Sequence, residues 1–278
     1  MTQSHIALET ANAIFEPDEE ISPTIKVGRE SIPIALRHGM ELWWDGSTPT
    51  ARLDERDGSS KFTRFVNGRI EGKLAEVAFT ELLDHYFDVQ SEVDWRIYGE
   101  YETTDNGDLQ HLLNDDGEEV PLGVDFDIKK TKPWNSWLAI RDEIFTKIDE
   151  DAPIILTKMR IEDEIQLDPW ENADNWKAVD QDDEFRRRLL DFADSIAPIK
   201  VEFVGTAYKN EFEEHFEQGE RLYDPRTGEK IGPELKRSNT GMFVDNLNNK
   251  AGRWNRVAAE ICSNMPKDQW RPLPVITK

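Results

Sequence analysis

The stretch VPLGVDFDIKKTK, residues 120–132, decides how the rest of the chain is read. Its alternation predicts a β-strand with Val124, Phe126 and Ile128 on one face and Asp125, Asp127 and Lys129 on the other. One side belongs to a core. The other lines up two carboxylates and an ammonium. A carboxylate two residues from a lysine can hold a divalent cation and still place the ammonium beside the same reacting group. Mg2+ takes one or two carboxylates and leaves its other positions to water and phosphate.

The spacing alone is weak in so acidic a chain. An acid two residues before a lysine is expected about three times from the residue frequencies, and it occurs at Glu71–Lys73, Asp127–Lys129 and Glu234–Lys236. The first starts a helical pattern and the third lies among glycine and proline. Only the second sits on an alternating strand.

Working outward, RIEGKLAEVAFTELLDHYF sets Ile70, Leu74, Val77, Ala78, Leu82 and Tyr86 at helical spacing and predicts a helix over 70–87. Strands are expected at 92–102, 108–113, 137–140, 152–161 and 199–208, and helices at 180–196, 210–219 and 252–264. The stretch 45–61 is rich in turn formers. There is no regular βαβ alternation, so the expected class is α/β with a mixed central sheet flanked by helices. The expected division is an accessory segment over 1–60, a core over 61–208 and an extension over 209–278. No glycine-rich phosphate loop and no G-x-S-x-G motif is present.

The order of features over residues 66–208 resembles the PD-(D/E)xK nucleases, the restriction-endonuclease-like fold. A helix carries Glu76 in LAEVAF, Asp108 opens a hairpin at NGDLQHLL whose strand is expected beside that of Asp127, Asp127 and Lys129 lie in FDIKKT, and WLAI and APIILTKMRI follow as partner strands. The resemblance implies a metal-dependent endonuclease using Mg2+, with Mn2+ as a substitute. Asp108 and Asp127 would be metal ligands, Lys129 would assist the attacking water, and Glu76 would be an auxiliary ligand or water-holder. It also implies double-stranded DNA as partner, a homodimer, and a DNA methyltransferase as companion. Two departures stand out: no proline precedes the first aspartate, and the second acid is Asp rather than Glu. The first leaves Asp105, Asp108 and Asp125 open as first ligand. Simpler readings stand beside these. Glu76 shares a helix face with Lys73, Thr80 and Asp84, the pattern of a solvated face. Asp108 suits a turn.

The 278 residues carry 57 acids against 34 Lys and Arg, a net charge of −23 spread along the whole chain. With nine tryptophans in periodic segments, this is not the composition of a disordered acidic tail. It matches a protein kept soluble in a salt-rich cytoplasm, where a screening length of ~3 Å at 1 M salt mutes self-repulsion. An acidic DNA mimic is the alternative from another class, and a repair or junction nuclease the alternative within the fold. The first twenty residues lack a signal-peptide pattern and no apolar run reaches membrane-span length, so a cytoplasmic location is expected. Cys262 is the single cysteine, which excludes an intrachain disulfide, and His85, His111 and His215 show no zinc spacing.

DNA binding at this charge requires local cations. The candidates are Lys129, Lys130 and Lys132, Arg186, Arg187 and Arg188, and Lys236, Arg237, Arg253 and Arg256. Asn239, Asn246, Asn248 and Asn249, with Arg253, are candidates for reading base edges.

Overall fold

The D-x-K residues form a short strand at the edge of a four-stranded sheet. In this computed structural model, which describes residues 15–44, 61–97 and 108–274, that strand is β5 (Asp127–Thr131). The sheet order is β1 (Thr24–Val27), β8 (Ile199–Ala207), β7 (Ile154–Met159), β5, numbered along the chain. β5 runs parallel to β7, and the other two pairings are antiparallel. A mixed sheet is thus present, as the irregular order of elements predicts.

Two smaller antiparallel sheets accompany it. In one, β10 (Asn239–Phe243) lies between β6 (Trp137–Arg141) and β9 (Glu214–Phe216). In the other, β3 (Leu109–Leu113) lies between β2 (Gln90–Val93) and β4 (Glu119–Val120).

A long helix covers one face of the main sheet. α2 (Lys61–Phe87) packs beside α1 (Ser31–Trp44) and begins nine residues before the expected 70–87. Phe62 and Val66 continue the four-residue step of Ile70, Leu74, Ala78 and Leu82, and all six are buried. Phe79 of α2 meets Phe126 at 5.1 Å and Phe203 of β8 at 6.0 Å between ring centres. The opposite sheet face presents Ile154, Leu156 and Ala207 to Leu138, Ile140, Met242 and Val244 of the β6–β10 layer. A helix layer on one side and a small sheet on the other make two cores around one sheet. Residues on both sides of the 61–208 span enter the larger core: Val27, Ile32 and Leu36 from before it, Trp254, Val257 and Ile261 from after it.

Several expected elements differ. The strand expected over 120–132 is two pieces, because Pro121 and Gly123 break it. Gly123 donates its N–H to the Ile261 carbonyl at 2.8 Å, and a Cβ there would collide with Ser263 and the Glu260 carbonyl. The segment 210–219 is not a helix but a 3-10 turn at Lys209–Glu211 followed by β9. Phe212 and Phe216 have helical spacing, yet Phe216 pairs with Asn239 across the sheet. The expected strand at 92–102 stops at Val93, with 98–102 outside the described residues. The helix expected over 180–196 is α5 (Asp183–Ile196), preceded by α4 (Trp176–Asp180). Asp182 caps α5 by accepting the N–H groups of Glu184 and Phe185. The last helix is α6 (Ala251–Ile261). A single helical turn, α3 (Asp142–Phe145), follows β6. No helix among the described residues is long and apolar enough to cross a membrane.

Candidate active site

Register fixes which way β5 presents its side chains. Asp127 lies beside Ile154 and Lys129 beside Leu156, both residues of the core under β6 and β10. Ile128 lies beside Ile155, which belongs to the core under α2. Asp127 and Lys129 therefore point away from α2 while Ile128 and Lys130 point toward it. Lys129 Nζ stands 2.6 Å from Asp127 Oδ1 and 2.5 Å from Oδ2.

Asp108 reaches this pair from another sheet. It precedes β3, which pairs with β2 and β4, whereas β7 occupies the place beside β5. Asp108 thus does not open the strand next to that of Asp127, as a hairpin would require. Instead its Oδ2 accepts the backbone N–H of Ile128 on the outer edge of β5. Edge donors without a strand partner need an acceptor when water is scarce, and Asp108 supplies it. Desolvation of the half-buried Asp108 carboxylate raises its proton affinity, and the negative charge of Asp127 adds to the effect. The charges of Lys129 and Lys73 and the Ile128 hydrogen bond oppose it.

Glu76 belongs to a neighbouring cluster. It is 8% exposed on α2, so its helix face is not the solvated one its neighbours suggest. Lys73 donates to Glu76 Oε2 at 2.6 Å and to the Asp94 carbonyl at 2.5 Å, and lies 5.7 Å from the Trp95 ring centre. The Asp94 carboxylate is gripped by Arg96 through Nε and Nη2, both at 2.8 Å. Among the described residues no three Asp, Glu, His or Cys side chains converge on a metal position. The structure gathers Asp108, Asp127 and Lys129, and leaves Glu76 with Lys73. The cause is the strand alternation, which turns Asp127 to the face opposite α2. Asp125 is exposed and feels Asp149 and Asp151 after its own partial burial, all of which raise its proton affinity. Asp105 lies outside the described residues.

The candidate DNA-contacting cations are largely engaged. Glu71 on α2 binds both Lys130 and Lys132. Arg186 lies near Asp180 and Asp183, Arg188 pairs with Glu184, and Arg237 with Glu143. Arg256 pairs with Glu260 at 2.9 Å. Arg253 is a core strut, with Nε 3.1 Å from Thr206 Oγ1, an ion pair to Glu211, and its guanidinium 4.3 Å from the Tyr208 ring centre. Asn239 is buried and donates to the Arg237 carbonyl at 2.6 Å. Neither Arg253 nor Asn239 faces outward to read a base: Arg253 is enclosed where α6 packs on β8, and Asn239 is buried in the β6–β10–β9 sheet between Arg141 and Phe216.

His38 has no counterpart in the sequence reading. It is 8% exposed on α1, its ring 5.9 Å edge-on from Trp95, and its Nδ1 is buried without a hydrogen-bond partner. Burial lowers its pKa to about 4, helped by the charge of Lys73. A lone histidine in an apolar-looking helix carries no sequence signal of this kind. Lys73 had one, since Glu71-x-Lys73 repeats the D-x-K spacing, but helix geometry sends Glu71 to β5 and Lys73 to Glu76.

No protein-family model, curated protein or solved structure matches the chain.

Proposed function

We propose that the protein hydrolyses phosphodiester bonds in DNA with Mg2+, as a nuclease of the kind its PD-(D/E)xK resemblance implies. The observation that carries this reading is the meeting of Asp108 and Asp127, from separate sheets, beside Lys129 at the open edge of β5. The donor set fits a hard dication. It offers oxygen alone, and its two carboxylates disfavour each other's charge. Asp108 and Asp127 would hold the ion. Bound there, Mg2+ supplies neutralisation of phosphate charge and acidification of a water.

The remaining chemistry falls to the chain. Lys129 sits within hydrogen-bonding reach of Asp127 and can turn its ammonium toward a phosphoryl oxygen, offsetting the charge that grows there in the transition state. The water oxygen bonds to phosphorus and its proton passes to solvent, while the bond to the leaving sugar oxygen breaks with its electron pair and that oxygen takes a proton from solvent to leave as a hydroxyl. The Asp108–Ile128 hydrogen bond fixes one carboxylate against the strand that carries the other.

The test is incubation of supercoiled and linear DNA with the protein at low and molar KCl, with Mg2+ or with EDTA. Nicking or cutting that requires Mg2+ and disappears in Asp127→Ala and Lys129→Ala is expected. Intact DNA under every condition, with folded protein, contradicts the reading.

A further inference from the structure

All nine tryptophans lie in the described residues, and eight are buried or half-buried. Trp134 alone is exposed, at 66%. Fully burying a large apolar side chain contributes on the order of 1.5–3 kcal/mol, so an indole left in water at a fixed place forgoes a stabilisation its eight counterparts obtain.

Its position is firmly built. Trp134 is the third residue of the turn 132–135, closed by the Asn135 N–H donating to the Lys132 carbonyl at 3.0 Å. Pro133 occupies the second position, where its fixed φ favours the turn. Asn135 Nδ2 donates to Thr131 Oγ1 at 2.6 Å, tying the turn to the end of β5. The Arg160 guanidinium, which follows the end of β7, lies 5.9 Å from the Trp134 ring centre, and its Nε also meets Glu162 Oε1 at 3.2 Å in an exposed pair that a phosphate can displace. The ring and the arginine therefore stand together where the parallel pair β5–β7 ends, on the strand that begins with Asp127 and Lys129. At ~3.3 Å per residue the turn begins roughly 10 Å beyond Lys129, a distance a few nucleotides can span.

We infer that Trp134 is a stacking platform for an unpaired base of a nucleic-acid strand that passes the C-terminal end of β5, with Arg160 beside it for a phosphate. This rests on the nuclease reading, which places the scissile phosphate near Asp127. A flat aromatic face accepts any base, and in a duplex those faces are covered by neighbouring pairs. The ring therefore selects a single-stranded or locally opened substrate. Charge points the same way. A chain of net −23 repels a polyanion, and Glu71 holds Lys130 and Lys132, so affinity for a strand has to come from contacts other than net charge. Stacking gives affinity that does not depend on counterion release.

The experiment is fluorescence anisotropy of a labelled oligothymidylate and of a duplex of equal length, in EDTA, at low and molar KCl. Wild type is expected to bind the single strand more tightly than the duplex. Trp134→Ala should weaken single-strand binding about tenfold or more and leave duplex binding and the melting temperature unchanged, while Trp134→Phe retains most of the affinity. Single-strand binding by Trp134→Ala within twofold of wild type overturns the inference, as does an equal loss on both DNA forms or no binding by wild type. Cleavage with Mg2+ separates the two readings. Binding through Trp134 without any cleavage keeps the platform and removes the nuclease. Cleavage lost in Asp127→Ala alongside unaltered binding in Trp134→Ala does the reverse.

Discussion

Asp108 accepts the backbone N–H of Ile128 although it leads into β3, a strand of a different sheet from that of Ile128. This bond stands in for a strand partner on the outer edge of β5 and holds a second carboxylate next to Asp127. The fold thus spends an acid on an edge position where a neutral acceptor would serve the backbone equally well.

Asp108→Asn is therefore expected to stabilise the metal-free protein. Asparagine keeps a carbonyl for the Ile128 N–H and removes a charge that faces Asp127. The folded-state pKa of Asp108 lies above its unfolded value, so its unfavourable contribution is absent below the unfolded pKa, grows between the two values and is complete above the folded pKa. At pH 8 in EDTA the melting temperature should rise by ~2–4 °C, which is about 1 kcal/mol for a chain of this size. The gain should shrink on acidification. Asp108→Ala strands the N–H and should lower stability by about 1 kcal/mol or more. A calorimetric melt of Asp108→Asn below wild type at pH 8 would refute the repulsion.

His38 gives a second pH signature of the opposite kind. Its pKa is lowered to about 4 from 6.5, first by burial and then by Lys73. The unfolded chain takes up a proton as pH falls below 6.5, while the folded protein does so only near 4. Stability contributed by the neutral ring is thus present above pH 6.5 and lost progressively down to about 4, by ~2 kcal/mol allowing for partial exposure. His38→Phe should flatten urea-unfolding stability over that window relative to wild type. Parallel pH profiles for the two proteins would show that the ring is not held neutral.

Net charge gives a third expectation. With 57 acids against 34 Lys and Arg, screening by salt should relieve carboxylate repulsion throughout the surface. The melting temperature should climb by ~5–10 °C between dilute buffer and 2 M KCl, as a few kcal/mol would give. An unchanged melt would remove salt adaptation as the reason for the composition.

The strand carrying Asp127 and Lys129 and the helix carrying Glu76 were legible because each depends on local periodicity, and the mixed sheet because the order of elements lacks βαβ alternation. Phe126 and Ile128 alternate, and Ile70, Leu74 and Ala78 step by four, whatever the rest of the chain does. Strand partners were not legible. That β7 rather than β3 lies beside β5 depends on contacts between residues 27 apart, Asp127 and Ile154, which leave no trace in local pattern. The role of Glu76 was hidden for the same reason, since its pairing with Lys73 follows from the burial of that helix face under Asp94 and Trp95. The 210–219 segment misled because Phe212 and Phe216 suit a helix and a half-buried edge strand alike.

The identity of the first metal ligand is open to one direct comparison. Asp125 stands exposed among Asp149 and Asp151, whereas Asp108 adjoins Asp127. The Mg2+-dependent nicking rate of supercoiled DNA, measured for wild type, Asp108→Asn and Asp125→Asn across a Mg2+ titration, should fall by about a hundredfold or more in Asp108→Asn and stay near wild type in Asp125→Asn. Full activity in Asp108→Asn together with a dead Asp125→Asn would contradict a site built from Asp108, Asp127 and Lys129.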